Sequence, residues 1–425
     1  MKYRHRVLGF LFLLSMITYL DRVAIGYAGV RIQTDLGLNE EQWGWILGIF
    51  ALSYAAFEVP SGAMADRIGA RKVLTRIVLW WSAFTALTGG AFSFISLLLT
   101  RFFFGAGEAG AYPGSSSGIA RWFPTTERAR AHGVVWMASR AGGAVAPLLV
   151  IPLQQTFGWR TTFVIFGALG LVWCAAWWLW YRDYPTEKDG VTDEEIREIG
   201  NPPRSAHVSL PWGQALRNMN LWWIMLMYHF YCWGAYFYLS WLGNYLRKGR
   251  GFTEDEMKIY AVLPFLAGVC GNLLGGTISD SLVKRYGLRF GRVAVGVTSL
   301  TLAALCLFAT AATTNKYAAV AFLTLGYGTL DLMLPVSWAV CLDVGRRYAG
   351  AVTGAMNMSG QIGSFISSVA FGYMVQGWNS YNKPLAIMAA MLIVSAILYT
   401  RIDPRIQLID EVQDPAPAPA RAAIG

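Results

Sequence analysis

The chain carries few charged side chains for its length. Only 14% of its 425 residues are Asp, Glu, Lys or Arg, whereas 55% are hydrophobic. A soluble protein of this length needs far more polar surface, so the composition excludes one and indicates a membrane protein. Frequent glycine and abundant Trp and Tyr agree, because glycine lets membrane helices pack closely and these rings favour the headgroup level.

The sequence is also poor in cysteine and histidine, with five and four residues. No cysteine lies within metal or redox spacing of another, and all fall in apolar segments. No nucleophile–base triad, metal-ligand cluster or phosphate loop is visible, so the sequence predicts neither an enzyme nor a cofactor or metal site. We expect buried, small apolar side chains at Cys174, Cys232, Cys270, Cys306 and Cys341.

The basic side chains exceed the acidic ones and give a net charge of +10. They are spread between apolar runs and do not gather in one patch. No aromatic–basic recognition motif accompanies them, so the sequence predicts no binding to nucleic acid.

Long apolar runs dominate the chain, and a membrane-spanning helix needs roughly 20 such residues. We therefore predict an all-α membrane protein with twelve transmembrane helices. The basic start of the chain precedes an apolar run without a small-residue cleavage site, so we expect a retained first helix and no signal peptide. The predicted spans, numbered 1 to 12, lie near residues 7–28, 43–64, 73–93, 95–118, 132–154, 160–181, 219–245, 258–281, 292–313, 317–342, 348–375 and 382–402.

The spans fall into two groups of six, separated by a polar, charged stretch. We predict an N-terminal bundle over 1–182, a cytoplasmic linker over 183–218 and a C-terminal bundle over 219–403. The alternating prolines of 404–425 predict a disordered cytoplasmic tail. Both termini are expected in the cytoplasm, because roughly 24 Lys and Arg then lie inside and about 8 outside. The expected setting is a lipid bilayer, the bacterial inner membrane, where a monomer suffices for this architecture.

Two loops half a chain apart share a pattern: an Asp four residues after a Gly, followed by basic residues. The repeat predicts two pseudo-symmetric halves. An Asp at a helix C-terminus is unfavourable against the helix dipole and needs a cation or another helix N-terminus nearby. We expect a charge cluster that latches the two halves on the cytoplasmic side; the alternative is ordinary topology-setting charge. The cluster comprises Gly62, Asp66, Arg67, Gly69, Arg71 and Asp280.

The loop from Gly62 to Lys72 resembles the cytoplasmic signature of the major facilitator superfamily, and the resemblance covers nearly the whole chain. It implies two six-helix bundles, a central cavity and alternating access by rocking. Within that superfamily the chain resembles the anion:cation symporter branch, which includes proton-coupled carriers of sugar acids. The narrower likeness is carried by residues 19–22 (Tyr-Leu-Asp-Arg), Tyr54, residues 101–109, residues 113–114, residues 122–124 and residues 127–130.

Four charged residues lie at bilayer depth in the first half, where they are costly and therefore functional candidates. Guanidinium groups bind carboxylates in two-point geometry, so we expect Arg22 and Arg101 to contact a substrate anion. The resemblance places proton coupling on Asp21 and Glu108. The alternative is a static salt-bridge network that only holds the bundle together.

Three further charges depart from that branch. Glu58 is either another proton carrier or a structural partner of Arg140. Arg140 faces either the cavity, where it would suit a strongly anionic substrate such as a dicarboxylate, or the cytoplasmic mouth. Asp331 in span 10 is expected to contact a substrate hydroxyl or to bind a second proton. The remaining expected substrate contacts are Tyr19, Tyr54, Ser139, Ser337, Trp338 and Asn357.

These features predict a proton-coupled symporter of a small organic anion, a sugar acid or another hydroxy-carboxylate. An anion exchanger or exporter is the alternative, because gradients decide direction. A membrane sensor on the same scaffold is a third hypothesis, disfavoured by the intact loop and the charges within the spans.

Overall fold

The computed structural model describes residues 2–200 and 210–409, apart from the side chains at positions 59, 62, 63, 65–67, 125, 126, 129 and 347. These residues are nearly all helical and include no β-strand. Single 3₁₀ or π turns lie at Pro185–Glu187, Tyr245–Gly249 and Arg346–Tyr348. The helices are α1 (Tyr3–Leu36), α2 (Glu40–Ile68), α3 (Ala70–Thr88), α4 (Phe94–Glu108), α5 (Ala111–Trp122), α6 (Thr125–Trp180), α7 (Asp193–Ile199), α8 (Trp212–Ala215), α9 (Met219–Ser240), α10 (Leu242–Asn244), α11 (Glu254–Tyr260), α12 (Leu263–Tyr286), α13 (Leu288–Ala312), α14 (Lys316–Gly345), α15 (Ala349–Trp378) and α16 (Lys383–Arg401).

Bends and short breaks relate these helices to membrane spans. The long helix α6 folds back at Gly158, whose φ of 78° is not helical, and so supplies two spans. The pairs α4–α5, α9–α10 and α11–α12 each continue through a short break and form one span. The described residues thus contain the twelve predicted spans. Seven helical stretches within them are long and apolar enough to cross a membrane when each is judged by itself. Helix α3 is not among the seven, since Arg71, Lys72 and Arg76 occupy its first turns.

The loops after spans 2 and 8 share their backbone as well as their sequence pattern. Gly69 ends α2 and Gly287 ends α12, each with a φ of 89°. Side chains are disfavoured at such a φ, so glycine is required at both turns. The repeat inferred from sequence is therefore present in the folded chain.

The twelve spans divide into two packed halves. In the N-terminal half α1 and α3 pack on α6, and α2 packs on α4; in the C-terminal half α12 and α13 pack on α14, and α9 packs on α15 and α16. Helix α1 packs on α9 and α10 of the other half, and two further contacts, α2 with α15 and α6 with α12, also join the halves. Spans 2 and 8 are equivalent in the repeat, as are spans 5 and 11, so the two contacts are pseudo-symmetric copies of each other.

The linker docks on the N-terminal half, at what we call the linker end of the molecule. Glu195 of α7 accepts hydrogen bonds from the backbone amides of Tyr3 and Arg4 at 3.0 and 2.9 Å. A carboxylate suits these unpaired amides at the start of α1. Hydrogen bonds from Lys2 and Arg4 lower the pKa of Glu198. Positions 201–209 of the predicted linker and 410–425 of the predicted tail lie outside the described residues.

Glycines bring the two halves together at the opposite end, which we call the far end. A Cβ added to Gly26 of α1 would lie 2.7 Å from the Ser240 carbonyl oxygen, and one added to Gly44 of α2 would lie 2.8 Å from that of Ser368. The backbone of Gly243 likewise abuts the Gly26 carbonyl.

Charged pairs reinforce this far-end contact. Lys248 pairs with Glu40 at 2.7 Å, and Arg31 pairs with Glu254 at 2.8 Å. Each pair joins one half to the other. The two halves are therefore tightly closed at the far end.

One expectation about the cysteines is wrong. All five are free, and four are buried as expected, but Cys270 is exposed. It lies on α12, whose outward face an apolar residue can occupy in a membrane helix.

Candidate functional site

Arg22 and Glu108 form a buried ion pair within the N-terminal half. Nε of Arg22 donates to Oε1 of Glu108 at 2.5 Å, and the Glu108 side chain is fully buried. The guanidinium carbon lies 4.6 Å from the ring centre of Tyr54, 5.2 Å from that of Phe50 and 5.3 Å from that of Tyr19. Nη2 of Arg22 and Oε2 of Glu108 are buried without a hydrogen-bond partner. The pair is therefore only half satisfied.

Arg101 makes no hydrogen bond and no ion pair with any described residue. It is 3% exposed, and its Nε is buried and unsatisfied. Its guanidinium lies over the rings of Phe104 and Phe50, at 4.5 and 5.2 Å from their centres. A buried cation without a counter-ion is costly. Arg101 therefore has an unfilled capacity to bind an anion.

Asp21 precedes Arg22 and points towards α3. The hydroxyl of Thr85 lies 3.5 Å from its Oδ2, while its Oδ1 is buried without a partner. The charged side chains that interact electrostatically with Asp21 are Glu108 and Arg101. The four charges predicted from the first half are thus brought together by α1 and α4.

Arg140 and Asp331 form a second buried ion pair, which joins the two halves. Nη2 of Arg140 in α6 donates to Oδ1 of Asp331 in α14 at 2.9 Å, and Nε lies 2.8 Å from Oδ2. The guanidinium carbon lies 5.7 Å from the ring centres of both Tyr19 and Tyr327. Tyr19 therefore lies between this pair and Arg22.

Glu58 and Asn357 make another contact between the halves. The side-chain amide of Asn357 in α15 donates to both oxygens of Glu58 in α2, at 2.7 and 2.8 Å. The partner of Glu58 is therefore Asn357, and the option of a Glu58–Arg140 pair was wrong because Arg140 binds Asp331. This contact lies nearer the linker end, where α2 ends and α15 begins.

An aromatic contact joins the halves at a similar level. The ring of Trp338 in α14 meets that of Trp136 in α6 edge-on at 5.1 Å, and Trp136 stacks on Tyr112 at 4.6 Å. The hydroxyl of Ser139 donates to the carbonyl of Trp136. The hydroxyl of Ser337 likewise donates to the backbone of its own helix, so substrate contacts at both serines stay predictions.

The described members of the predicted latch contact their own halves. Gly69 lies against the carboxylate of Asp183, which accepts a hydrogen bond from the Arg71 amide at 3.1 Å and pairs with Arg121 at 2.8 Å. Asp280 pairs with Arg292 of the next helix at 2.8 Å.

The side chains of the other latch residues, Asp66 and Arg67, and position Gly62 lie outside the described part of the chain. A latch between the halves therefore stays a prediction.

Several site residues were missed from the sequence. Phe104 follows Arg101 by three positions, a spacing that places two side chains on one helix face, so this contact could have been predicted. Phe50, Trp136 and Tyr112 carry no comparable signal, because their contacts depend on how separate helices pack.

Comparisons with known proteins agree with this geometry. The sequence profile of the Major Facilitator Superfamily matches residues 11–368. The chain is 36% identical to the probable sulfoacetate transporter SauU of Cupriavidus necator, over 95% of this chain and 94% of that protein. It is 29% identical to the hexuronate transporter of Bacillus subtilis, with 93% of each chain covered. It is 28% identical to the probable galactarate/D-glucarate transporter GarP of Escherichia coli strain K12, covering 93% and 94%.

The fold also matches a solved structure. The crystal structure of a bacterial homologue of the human lysosomal transporter Spinster, in an inward-facing and occupied conformation, superposes with a TM-score of 0.78. That alignment covers 94% of this chain and 97% of the other at 22% identity, which supports the fold alone. The relatives by sequence are of the anion:cation symporter type. The chain therefore belongs to the major facilitator superfamily and is a multi-pass membrane transporter, not an enzyme.

Proposed function

We propose that this transporter carries a small organic anion together with protons. The observation that carries the proposal is Arg101, a buried guanidinium that has no hydrogen bond or ion pair with the described residues and lies beside two buried carboxylates. Relatives named for sulfoacetate, hexuronate and galactarate or glucarate transport support an organic anion as the substrate class.

The substrate carboxylate binds Arg101 and the unsatisfied edge of Arg22. Both guanidinium carbons lie 5.2 Å from the centre of the Phe50 ring, so the two cations are neighbours in one site. The rings of Tyr19 and Tyr54 form apolar walls beside Arg22. Asn357, Trp338 and the serines Ser139 and Ser337 become available as contacts when the halves separate.

Proton coupling follows from competition for Arg22. An anion that binds Arg22 weakens its pairing with Glu108, and a buried carboxylate that loses its cation favours the protonated form. Asp21, which has no ion pair, responds in the same way to the charge placed on Arg101. Anion binding and proton uptake are then linked, so each strengthens the other.

Transport proceeds by alternating access between two rigid halves. The far end, closed by glycine contacts, corresponds to the outside when both termini lie in the cytoplasm of a bacterial inner membrane. Opening at the linker end separates Glu58 from Asn357 and Trp136 from Trp338, and Glu58 and Asp331 are then free to bind protons. The latch residues contribute to closing that end in the opposite state, and a monomer carries out the whole cycle.

Uptake into proteoliposomes tests this proposal. We expect D-glucarate or sulfoacetate to accumulate faster when the outside is made acidic, and a protonophore to remove the gain. Exchange without any pH dependence would favour an exchanger, and binding without uptake would favour a sensor. A preliminary thermal-shift screen of mono- and dicarboxylates finds ligands, because a ligand that binds the native state stabilises it.

A further inference from the structure

The pair of Arg140 and Asp331 lies outside the anion site of the N-terminal half, yet directly beside it. The Tyr19 ring contacts the guanidinium of Arg22 and that of Arg140, at 5.3 and 5.7 Å. Arg140 therefore offers a second guanidinium across one aromatic ring from the first site.

The carboxylate of Asp331 occupies this second guanidinium in the way a ligand would. Its Oδ1 accepts a hydrogen bond from Nη2 of Arg140 at 2.9 Å, and its Oδ2 makes an ion contact with Nε at 2.8 Å that is not aligned as a hydrogen bond. A guanidinium also binds free carboxylates through charge-assisted hydrogen bonds of this kind. Gly268 of α12 leaves the space for Asp331, since a Cβ there would lie 2.6 Å from its Oδ2.

Another acid can replace Asp331 only if the charge it leaves behind is neutralised. Among the described residues, Arg140 is the charged group that interacts with Asp331. The other titratable neighbours of the pair are all tyrosines: Tyr19, Tyr228, Tyr231, Tyr238 and Tyr327. None of these supplies a second cation. A displaced Asp331 must therefore bind a proton, because an unpaired buried carboxylate is strongly unfavourable.

We infer that Arg140 recognises the second acidic group of a dianionic substrate, and that Asp331 holds this position in the empty carrier. One acid of the substrate binds Arg101 and Arg22, and the other replaces Asp331 on Arg140. Asp331 takes up a proton as it is displaced. The inference rests on the proposed function and narrows its substrate to short diacids, either dicarboxylates or sulfonate–carboxylates.

Matched pairs of ligands test the inference on the purified full-length protein. D-glucarate and D-gluconate differ by one carboxylate, and sulfoacetate and 2-hydroxyethanesulfonate differ in the same way. For at least one pair we expect the diacid to bind about tenfold more tightly than the monoacid, because only the diacid has a second charged group to contact Arg140.

The decisive variant is Arg140→Gln with Asp331→Asn. It replaces the ion pair by a neutral pair and so avoids a lone buried charge, which would endanger folding. We expect the diacid preference to fall to about twofold or less, because the contact to the second acid is removed. A preference retained in this variant, or no preference in the unaltered protein, would overturn the inference.

Two single variants separate the inference from the proposed function. Asp331→Asn removes the resident carboxylate and should tighten diacid binding, while diacid uptake loses one coupled proton. Arg101→Ala should abolish binding of both members of each pair. If Arg101→Ala binds both normally, the proposed anion site fails, whereas the double variant still decides the role of Arg140.

Discussion

The two halves of the molecule hold their buried charges very differently. The N-terminal half gathers four buried or nearly buried charges among its own described residues: Arg22, Arg101, Asp21 and Glu108. Among the described residues of the C-terminal half, Asp331 is the one fully buried charge inside a span, and this carboxylate is paired across the interface. Under the proposed function, the N-terminal half binds the substrate charge and the C-terminal half mainly responds to it.

In the proposed rocking cycle, this difference separates two tasks. The Arg22–Glu108 pair moves as part of one rigid half, so its geometry changes only when a ligand or a proton binds. The contacts of Arg140 with Asp331 and of Glu58 with Asn357 cross the interface, so they change whenever the halves move. Substitutions within the N-terminal half should therefore alter chemistry, and substitutions across the interface should alter the conformational equilibrium.

The largest expected effect is that of Arg101→Ala on anion binding. Losing a buried charge contact costs about 2–5 kcal/mol, so affinity should fall at least about 30-fold in titration calorimetry. The empty protein should keep its melting temperature in the Arg101→Met variant, which retains volume, because Arg101 has no hydrogen bond or ion pair with the described residues. Arg160→Ala is a matched control, since this arginine forms an exposed pair with Asp35 at the far end. Unchanged affinity in Arg101→Ala would remove the anion contact.

Glu108→Gln should abolish proton-driven accumulation while sparing counterflow. The glutamine still accepts a hydrogen bond from Arg22 but cannot carry a proton, so substrate exchange continues without coupling. The measurements are accumulation at an imposed pH gradient and counterflow at uniform pH. Glu127→Gln is the control, because that carboxylate pairs with Arg4 at the linker end. Equal loss of both activities in a folded protein would reject the coupling role of Glu108.

How far this site could be predicted depends on whether its contacts are local. Charges at bilayer depth are rare, so Asp21, Arg22, Arg101 and Glu108 could be recognised from the sequence alone. Their pairing could not be predicted. Arg101 and Glu108 share one helix, yet Glu108 pairs with Arg22, because it ends α4 where the chain breaks before α5.

The contacts across the interface were harder to predict for a different reason. Arg140 and Asp331 are 191 positions apart, and their meeting depends on how two half-bundles dock. The twelve spans follow from hydropathy, and the repeat follows from two similar loops. Neither signal gives the register of α6 against α14. Each isolated charge in a span did imply a partner of opposite charge. Matching Arg140 with the acids left unpaired was therefore the only way to predict this pair from the sequence.

Gly243→Val should prevent closure of the far end. A Cβ at this position would meet the Gly26 carbonyl and lie 3.1 Å from the Cα of Tyr27. Overpacking of this kind costs about 1–3 kcal/mol, which should slow uptake roughly tenfold while ligand binding is retained. Gly9→Val is the control, because nothing lies within 4 Å of a Cβ there.

The far-end conformation can be read directly by cysteine labelling. Ser368→Cys places a thiol at a buried position beside Gly44, in a chain whose exposed Cys270 is replaced by alanine. Gly243→Val should increase labelling by a membrane-impermeant maleimide several-fold. Unchanged labelling would mean that these glycines do not control closure.

Glu58→Gln should have the smallest effect, and it tests most directly whether an acid at the interface differs in role from one inside the N-terminal half. The glutamine keeps an acceptor for Asn357, so the contact between α2 and α15 persists in weaker, uncharged form. A neutral hydrogen bond is weaker than a charge-assisted one by about 1 kcal/mol, roughly fivefold in an equilibrium constant. Accumulation should therefore fall only a few-fold, in contrast to its loss in Glu108→Gln. If the two variants lose accumulation equally, an acid at the interface is as necessary as one within the N-terminal half, and the division of tasks between the halves breaks down.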